Sequence, residues 1–187
     1  AEVARRHGRS PDILVNNAGI NHRSPLSDFT TERFNHVLRT NLNGPFVLSR
    51  ECAKGMAQRG WGRIVNVGSI MGEIGRNGMH AYVASKHGVH GLTKCLAAEL
   101  GGSGVTCNAL APGYIGTDLT SKLQRDPSFN AQITSRTPVG RWGTPREMAG
   151  PAVFLCSDAA SYVNGVSLVA DGGMIETFHY GALGPMS

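Results

Sequence analysis

No apolar run in the 187 residues approaches the roughly 20 needed to cross a bilayer, and the opening residues do not resemble a signal peptide. Together these predict a cytoplasmic protein with no membrane partner. Charge is sparse as well. Only 17% of residues are charged, and the net +5 is dispersed, its densest spot being Arg5-Arg6-His7. Such a diluted positive field suits a small anionic ligand or an ordinary solvated surface and argues against a nucleic-acid partner. The four cysteines, Cys52, Cys95, Cys107 and Cys156, form no C-x-x-C pair and lie within apolar segments, which predicts buried, reduced thiols. His87 and His90 stand three apart with no third ligand nearby, so no metal is expected and both histidines read as surface residues.

What is present fits a single folded domain. The chain is 41% hydrophobic, and its 25 glycines gather in short clusters such as Gly101-Gly102-Ser103-Gly104 and Asp171-Gly172-Gly173, the pattern of many tight turns. Residues 1–7 read as a helix end capped by Gly8. Ile13-Leu14-Val15 reads as a buried strand ending at Asn16-Asn17-Ala18-Gly19. Residues 31–59 carry helical spacing that the sequence interrupts near Asn43-Gly44-Pro45. A strand at 64–67, a glycine-bearing loop over 68–78 and a long helix over about 81–100 follow. Val105 to Ala111 is a strand, and 112–118 a turn into a mobile-looking segment. Thr144-Pro145-Arg146-Glu147 opens a helix over 145–155 with a capping box and proline at its first position. Val166 to Val169 gives the last strand, and the tail 177–187 carries no readable pattern. Short apolar strands alternating with helices predict an α/β fold with a doubly wound parallel sheet of Rossmann-like type. Ligands of such sheets bind beyond the strands' carboxyl ends, which gathers Asn17, Ser69, Tyr82 and Pro112-Gly113 toward one rim.

That rim holds a proton-transfer set. Tyr82 and Lys86 stand four apart on the long helix, with Ser69 thirteen residues before the tyrosine. A phenol with an ordinary pKa near 10 exchanges protons poorly at neutral pH unless a neighbouring cation favours phenolate. Residues i and i+4 share a helix face, so Lys86 is placed to supply that cation and Ser69 to hold a substrate oxygen. A lone Y-x-x-x-K more often means a core tyrosine and a solvated lysine, so the other motifs decide.

Asn16-Asn17-Ala18-Gly19, Asn41 within Asn41-Leu42-Asn43-Gly44, Ser69, Tyr82 with Lys86, and Pro112-Gly113 followed by Thr117 occur in order across 11–173. Together they resemble the short-chain dehydrogenase/reductase family. The resemblance implies a nicotinamide cofactor, NAD or NADP, and a reaction interconverting a secondary alcohol and a ketone. It assigns Tyr82 as general acid/base, Lys86 as the residue that lowers its pKa and binds the nicotinamide ribose, and Ser69 as the group orienting the carbonyl. Asn41 would support a proton-relay water. Asn17, Ala18 and Gly19 would shape the floor under the cofactor's adenosine side, Ile115 and Thr117 would meet its carboxamide, and Pro112-Gly113 would border it. The family's glycine-rich turn between first strand and helix is not found here; Gly72, Gly75 and Gly78 follow the serine strand and read as a flexible active-site loop. Residues 1–187 are therefore expected to form one such domain truncated at its amino-terminal cofactor-binding end, lacking its first strands. Ile13–Val15 would then be an unpaired edge, and these residues alone would bind cofactor poorly.

Arg136-Thr137-Pro138, Arg141-Trp142-Gly143, Glu73-Ile74-Gly75-Arg76, Ala111-Pro112-Gly113-Tyr114 and Val163-Asn164-Gly165 are similar to the gluconate 5-dehydrogenase branch of that family, implying a sugar-acid substrate. A carboxylate needs a cation, and Arg23 is the first candidate because guanidinium binds carboxylate with two prongs; a solvated residue over Phe29 is its bland alternative, and Arg76 a second candidate. Two other readings stand: a 3-oxoacyl thioester reductase with the same catalytic set, and a non-catalytic fragment that acts by association. The family implies a homotetramer built through the helix after Asn41 and the Tyr82 helix. Val89, Leu92, Leu96 and Leu100 allow that and equally describe core packing.

Overall fold

Four parallel strands form one sheet in chain order: β1 (Ile13–Asn16), β2 (Gly62–Val67), β3 (Val105–Pro112) and β4 (Ser167–Ala170). The computed structural model describes residues 2–118 and 120–177, so the tail 178–187 lies outside it. The register pairs Leu14 with Ile64, Ile64 with Cys107 and Leu110 with Leu168. Short α1 (Glu2–His7) ends at Gly8, whose φ of +71° suits a residue without a Cβ. The first crossover carries α2 (Thr31–Leu38) and α3 (Gly44–Arg59), the second α4 (His80–Leu100). The third carries α5 (Ser121–Arg125), α6 (Pro127–Arg136) and α7 (Pro145–Cys156).

Successive strand residues face opposite layers. Ile64 packs with Ala53 and Met56 of α3 and Leu96 and Ala97 of α4, whereas Val65 packs with Leu110 and with Leu155 of α7. Val89 and Leu96 are buried, and Leu92 and Leu100 pack against the first core, so these positions of α4 serve the interior. The carboxyl ends of β2 and β3 run into a third cluster of Ile70, Met71, Met79, Ile133, Trp142 and Met174, which Tyr82 and Tyr114 adjoin. Among the described residues strand β1 pairs with β2 alone and leaves Ile13 and Val15 over 40% exposed, so it is the unpaired edge expected of residues 13–15 and is not buried as its apolar run by itself predicts.

Several expectations are corrected by packing. The interruption expected near Asn43-Gly44-Pro45 is present directly before Gly44, as a change of helix type and not as a gap between helices. A π-helical turn over Arg39–Asn43 joins α2 to α3, with the Gly44 N–H reaching back to the Arg39 carbonyl, and the wider turn absorbs the proline's missing donor. The mobile-looking segment contains α5 and α6; Asp126 caps α6, its carboxylate accepting from the Ser128 and Phe129 N–H groups ahead of Pro127. In the loop over 68–78 the first five residues are buried, whereas Glu73, Gly75 and Asn77 are exposed. Residues 70–72 form a buried helical turn, and Gly78, at φ +72°, accepts at its carbonyl from Ser24 N–H. Cys107 is buried, Cys52 and Cys156 are half-buried, and Cys95 is exposed because it falls on the solvent face of α4. Burial pushes the Cys107 thiol up to about 12. The capping box at Thr144 and Glu147 forms as expected, and the Arg141 guanidinium beside it holds Glu147 down to about 2. No helix among the described residues is long and apolar enough to cross a membrane.

Candidate active site

Three strand ends and one helix build the site. Ser69 follows β2 in extended backbone and caps the turn over Ile70–Gly72, its hydroxyl accepting from Met71 N–H at 3.1 Å. Helix α4 runs past it with Tyr82 in its first turn and Lys86 one turn on, so both side chains reach the carboxyl edge of the sheet. Lys86 is 4% exposed; its Nζ donates to the Val67 carbonyl at 2.7 Å and lies 5.5 Å from the centroid of the Tyr82 ring. Burial lowers the lysine to about 8, which leaves it protonated at neutral pH.

The expected lowering of the Tyr82 phenol by Lys86 is not what the structure shows. Burial pushes the phenol up; the Ser69 hydroxyl opposes this, and Tyr114 adds slightly to it. The ammonium is turned to the Val67 carbonyl and lies over the face of the ring, and it is not among the groups that shift the phenol here. No hydrogen bond of ordinary geometry joins Ser69 to Tyr82 among the described residues, and both hydroxyls face the same cleft.

Asn41 is 1% exposed within the π-helical turn. Its carboxamide accepts from Ile20 N–H at 2.9 Å and donates to the Ile20 carbonyl at 2.9 Å and to Ser85 Oγ at 3.1 Å. Both amide hydrogens are committed, which fixes the chain just after Gly19. A side-chain carbon at Gly19 would sit 3.7 Å from both Asn41 Oδ1 and Lys86 Nζ, so the loop lies directly over the lysine.

Two clefts meet at Ser69 and Tyr82. One, of about 510 Å³, is lined by Asn17, Gly19, Lys86, Pro112, Gly113, Ile115 and Thr117 as well as those two; Ala18 is exposed beside it. The other, of about 370 Å³, is lined by Asn21, Arg23, Met71, Arg76, Tyr114 and Lys122 around the same pair. Arg23 is exposed at the rim of the second cleft. Arg76 is already engaged, donating to Tyr114 Oη at 2.6 Å and lying over the Phe129 ring at 4.7 Å. The first cleft brings together Asn17, Gly19, Lys86, Pro112, Gly113, Ile115 and Thr117, residues expected to border a nicotinamide cofactor, while the glycine-rich turn expected to cradle its pyrophosphate is not in its lining.

Sequence reasoning missed Tyr114, Met71, Met79 and Thr120 as lining. Thr120 Oγ1 donates to the Ile115 carbonyl at 2.6 Å and accepts from Thr117 N–H at 2.9 Å, shaping the loop after β3. Thr120 stands at the N-cap position of α5, a helix the sequence reading did not assign, so nothing in the sequence singled it out. The surface reading of His90 is wrong as well: it is 4% exposed, and its Nδ1 lies 2.8 Å from Glu73 Oε1, because its face of α4 is the one that carries Tyr82 and Lys86. His87 is exposed, as expected. Among the described residues no cluster of metal-ligating side chains forms.

A parallel sheet with serine, tyrosine and lysine at its carboxyl edge defines a class, and the chain belongs to the short-chain dehydrogenase/reductase family. A family model described as "Enoyl-(Acyl carrier protein) reductase" matches residues 1–175. The chain is 47% identical over 168 residues to a 2-dehydro-3-deoxy-D-gluconate 5-dehydrogenase of Bacillus subtilis (strain 168), covering 90% of this chain and 66% of that one. It is 44% identical over 163 residues to a 3-oxoacyl-(acyl-carrier-protein) reductase of Vibrio harveyi, covering 87% and 66%. Among solved structures, a gluconate 5-dehydrogenase from Burkholderia cenocepacia J2315 in complex with NADP and tartrate superposes with a TM-score of 0.91. It is 39% identical, covering 95% of this chain and 69% of that one. The chain thus spans 66% of the length of the two curated relatives.

Proposed function

We propose that the protein carrying this chain is an NAD(P)-dependent oxidoreductase that interconverts a secondary alcohol and a ketone on a sugar acid of the gluconate/5-ketogluconate type. The observation that carries this reading is the meeting of two clefts at Ser69 and Tyr82, with the cation Arg23 at the rim of the smaller one. At about 370 Å³ that cleft falls within the usual range of small-molecule sites, about 300–1,000 Å³. The relatives' names support a sugar acid, and the solved relative holds tartrate, itself a hydroxy acid.

A bound nicotinamide dinucleotide would supply the acceptor or donor of hydride. In oxidation the substrate hydroxyl loses its proton to the Tyr82 phenolate as hydride leaves the same carbon; reduction reverses both transfers. Ser69 donates to the reacting oxygen and Arg23 holds the carboxylate. Lys86 donates to Val67 O and would hold the ribose of a bound cofactor with its remaining hydrogens, while Asn41 holds the Gly19–Ile20 backbone. Burial raises the phenol, so proton loss from Tyr82 draws on positive charge in the cleft, and the protonated Lys86 supplies part of it. Phe46, Val47 and Leu48 of α3 are over 40% exposed, which supports assembly into an oligomer through that helix.

A second reading, 3-oxoacyl thioester reduction, is favoured by the family model's description and by the Vibrio relative. A panel of gluconate, 5-ketogluconate, deoxy-keto sugar acids and a 3-oxoacyl thioester, run with NAD(H) and NADP(H), separates the two. Preferential turnover of the thioester would overturn the sugar-acid reading.

A further inference from the structure

Helix α4 presents Tyr82, Lys86 and His90 at four-residue intervals on one face, and the family chemistry uses only the first two. The third is buried against the loop that carries Ser69. His90 Nδ1 lies 2.8 Å from Glu73 Oε1, directly after the turn over Ile70–Gly72. Between Lys86 and His90 the backbone of 68–72 crosses the imidazole so closely that a Cβ at Gly68 would stand 2.2 Å from Nε2, and one at Gly72 2.4 Å from Cε1. Real side chains never approach so near, so both positions exclude any other residue while His90 stays in place. Ser69 sits between these two contacts. The Gly68 N–H donates to Leu110 O at 2.7 Å, which ties the start of the loop to β3, and the Gly72 N–H donates to Ser69 O at 2.8 Å, which closes the turn that Ser69 opens.

We infer that the His90–Glu73 pair is a strut that sets the height of the Ser69 hydroxyl against Tyr82, making His90 a positioning residue. A carboxylate only accepts, so His90 donates from Nδ1; its buried Nε2 has no partner and faces Gly68. A proton added there would meet no acceptor. Burial accordingly lowers the histidine's pKa; Glu73 opposes this, while His87 and Lys86 on its own helix reinforce it. The neutral ring is therefore the form that supports the loop. The Ser69 hydroxyl lies near enough to the phenol to oppose the effect of burial, so a displaced Ser69 lets Tyr82 rise.

This inference rests on the function proposed above, and its test separates the two. In the full-length protein, imidazole ¹⁵N–¹H correlation spectra should show His90 as the Nδ1–H tautomer, a preference lost in Glu73→Ala. His90→Leu should lower kcat about tenfold or more and leave the KM for cofactor within about twofold. It should also move the acidic limb of alcohol oxidation to higher pH. His90→Asn, whose amide donates from near the Nδ1 position, should restore the limb and most of kcat. An Nε2–H tautomer, a His90→Leu enzyme with unmoved kcat and pH limb, or equal losses in His90→Leu and His90→Asn without a limb shift would each overturn the strut. If the wild type turns over neither sugar acids nor thioesters, the functional reading fails, and the tautomer comparison alone decides whether the strut exists.

Discussion

Replacing Lys86 with methionine should stabilise the cofactor-free protein at neutral pH while abolishing turnover. The lysine is 4% exposed, and burial takes it from 10.5 to about 8, which corresponds to about 3.4 kcal/mol of cost for holding the ammonium inside. Between those two values the native state binds fewer protons than the unfolded chain, so wild-type stability rises with pH across that window. At pH 7, below both, the whole cost is present. Methionine removes it and keeps a long apolar stem, but forfeits the bond to Val67 O, worth about 1.5–3 kcal/mol for a charged donor. The net gain at pH 7 is about 1 kcal/mol. The sharper observable is the change with pH: the stability difference between variant and wild type should move by about 2–3 kcal/mol in the wild type's favour from pH 7 to pH 10. Urea unfolding of both proteins at half-unit intervals measures this, provided their m-values agree. A difference that stays constant over the range would show that Lys86 is not held at a depressed pKa, and the electrostatic account of the cleft would fail.

Asn41→Ala removes three hydrogen bonds and strands the Ile20 N–H and carbonyl; a loss of about 3 kcal/mol is expected at unchanged m-value, and a loss below about 1 would show that the Gly19–Ile20 backbone does not depend on it. Arg23→Met should raise the KM for gluconate about tenfold or more, with kcat little changed, because a charge-assisted two-pronged contact is lost. An unchanged KM would remove Arg23 from the carboxylate clamp.

The four strands were legible because each is a short run of β-branched and apolar residues closed by a polar or glycine stop, as at Val67-Gly68 and Pro112-Gly113. Spacing also brought Tyr82 and Lys86 to one face, and the capping box at Thr144 stood in plain view. The interruption near Asn43-Gly44-Pro45 was legible, but local breaker signals carry no account of its form, a π-helical turn that places Asn41. Helices α5 and α6 were missed although Asp126-Pro127 is an N-cap followed by proline; the surrounding Ser, Gln, Asn and Arg residues lack a strong apolar stripe. His90 was readable as one more turn along the Tyr82 face, but Glu73 comes from another element. The direction of the Tyr82 shift depends on burial and on where the Lys86 ammonium turns, neither of which spacing determines.

The central claim is that the Tyr82 hydroxyl moves the proton while hydride passes to or from nicotinamide. Turnover of gluconate and 5-ketogluconate by the full-length wild type and Tyr82→Phe, followed by nicotinamide absorbance alongside a cofactor-binding titration, tests it directly. A fall of about 10²–10⁴-fold in kcat with cofactor affinity unchanged is the predicted result; a phenylalanine variant turning over at the wild-type rate would contradict it.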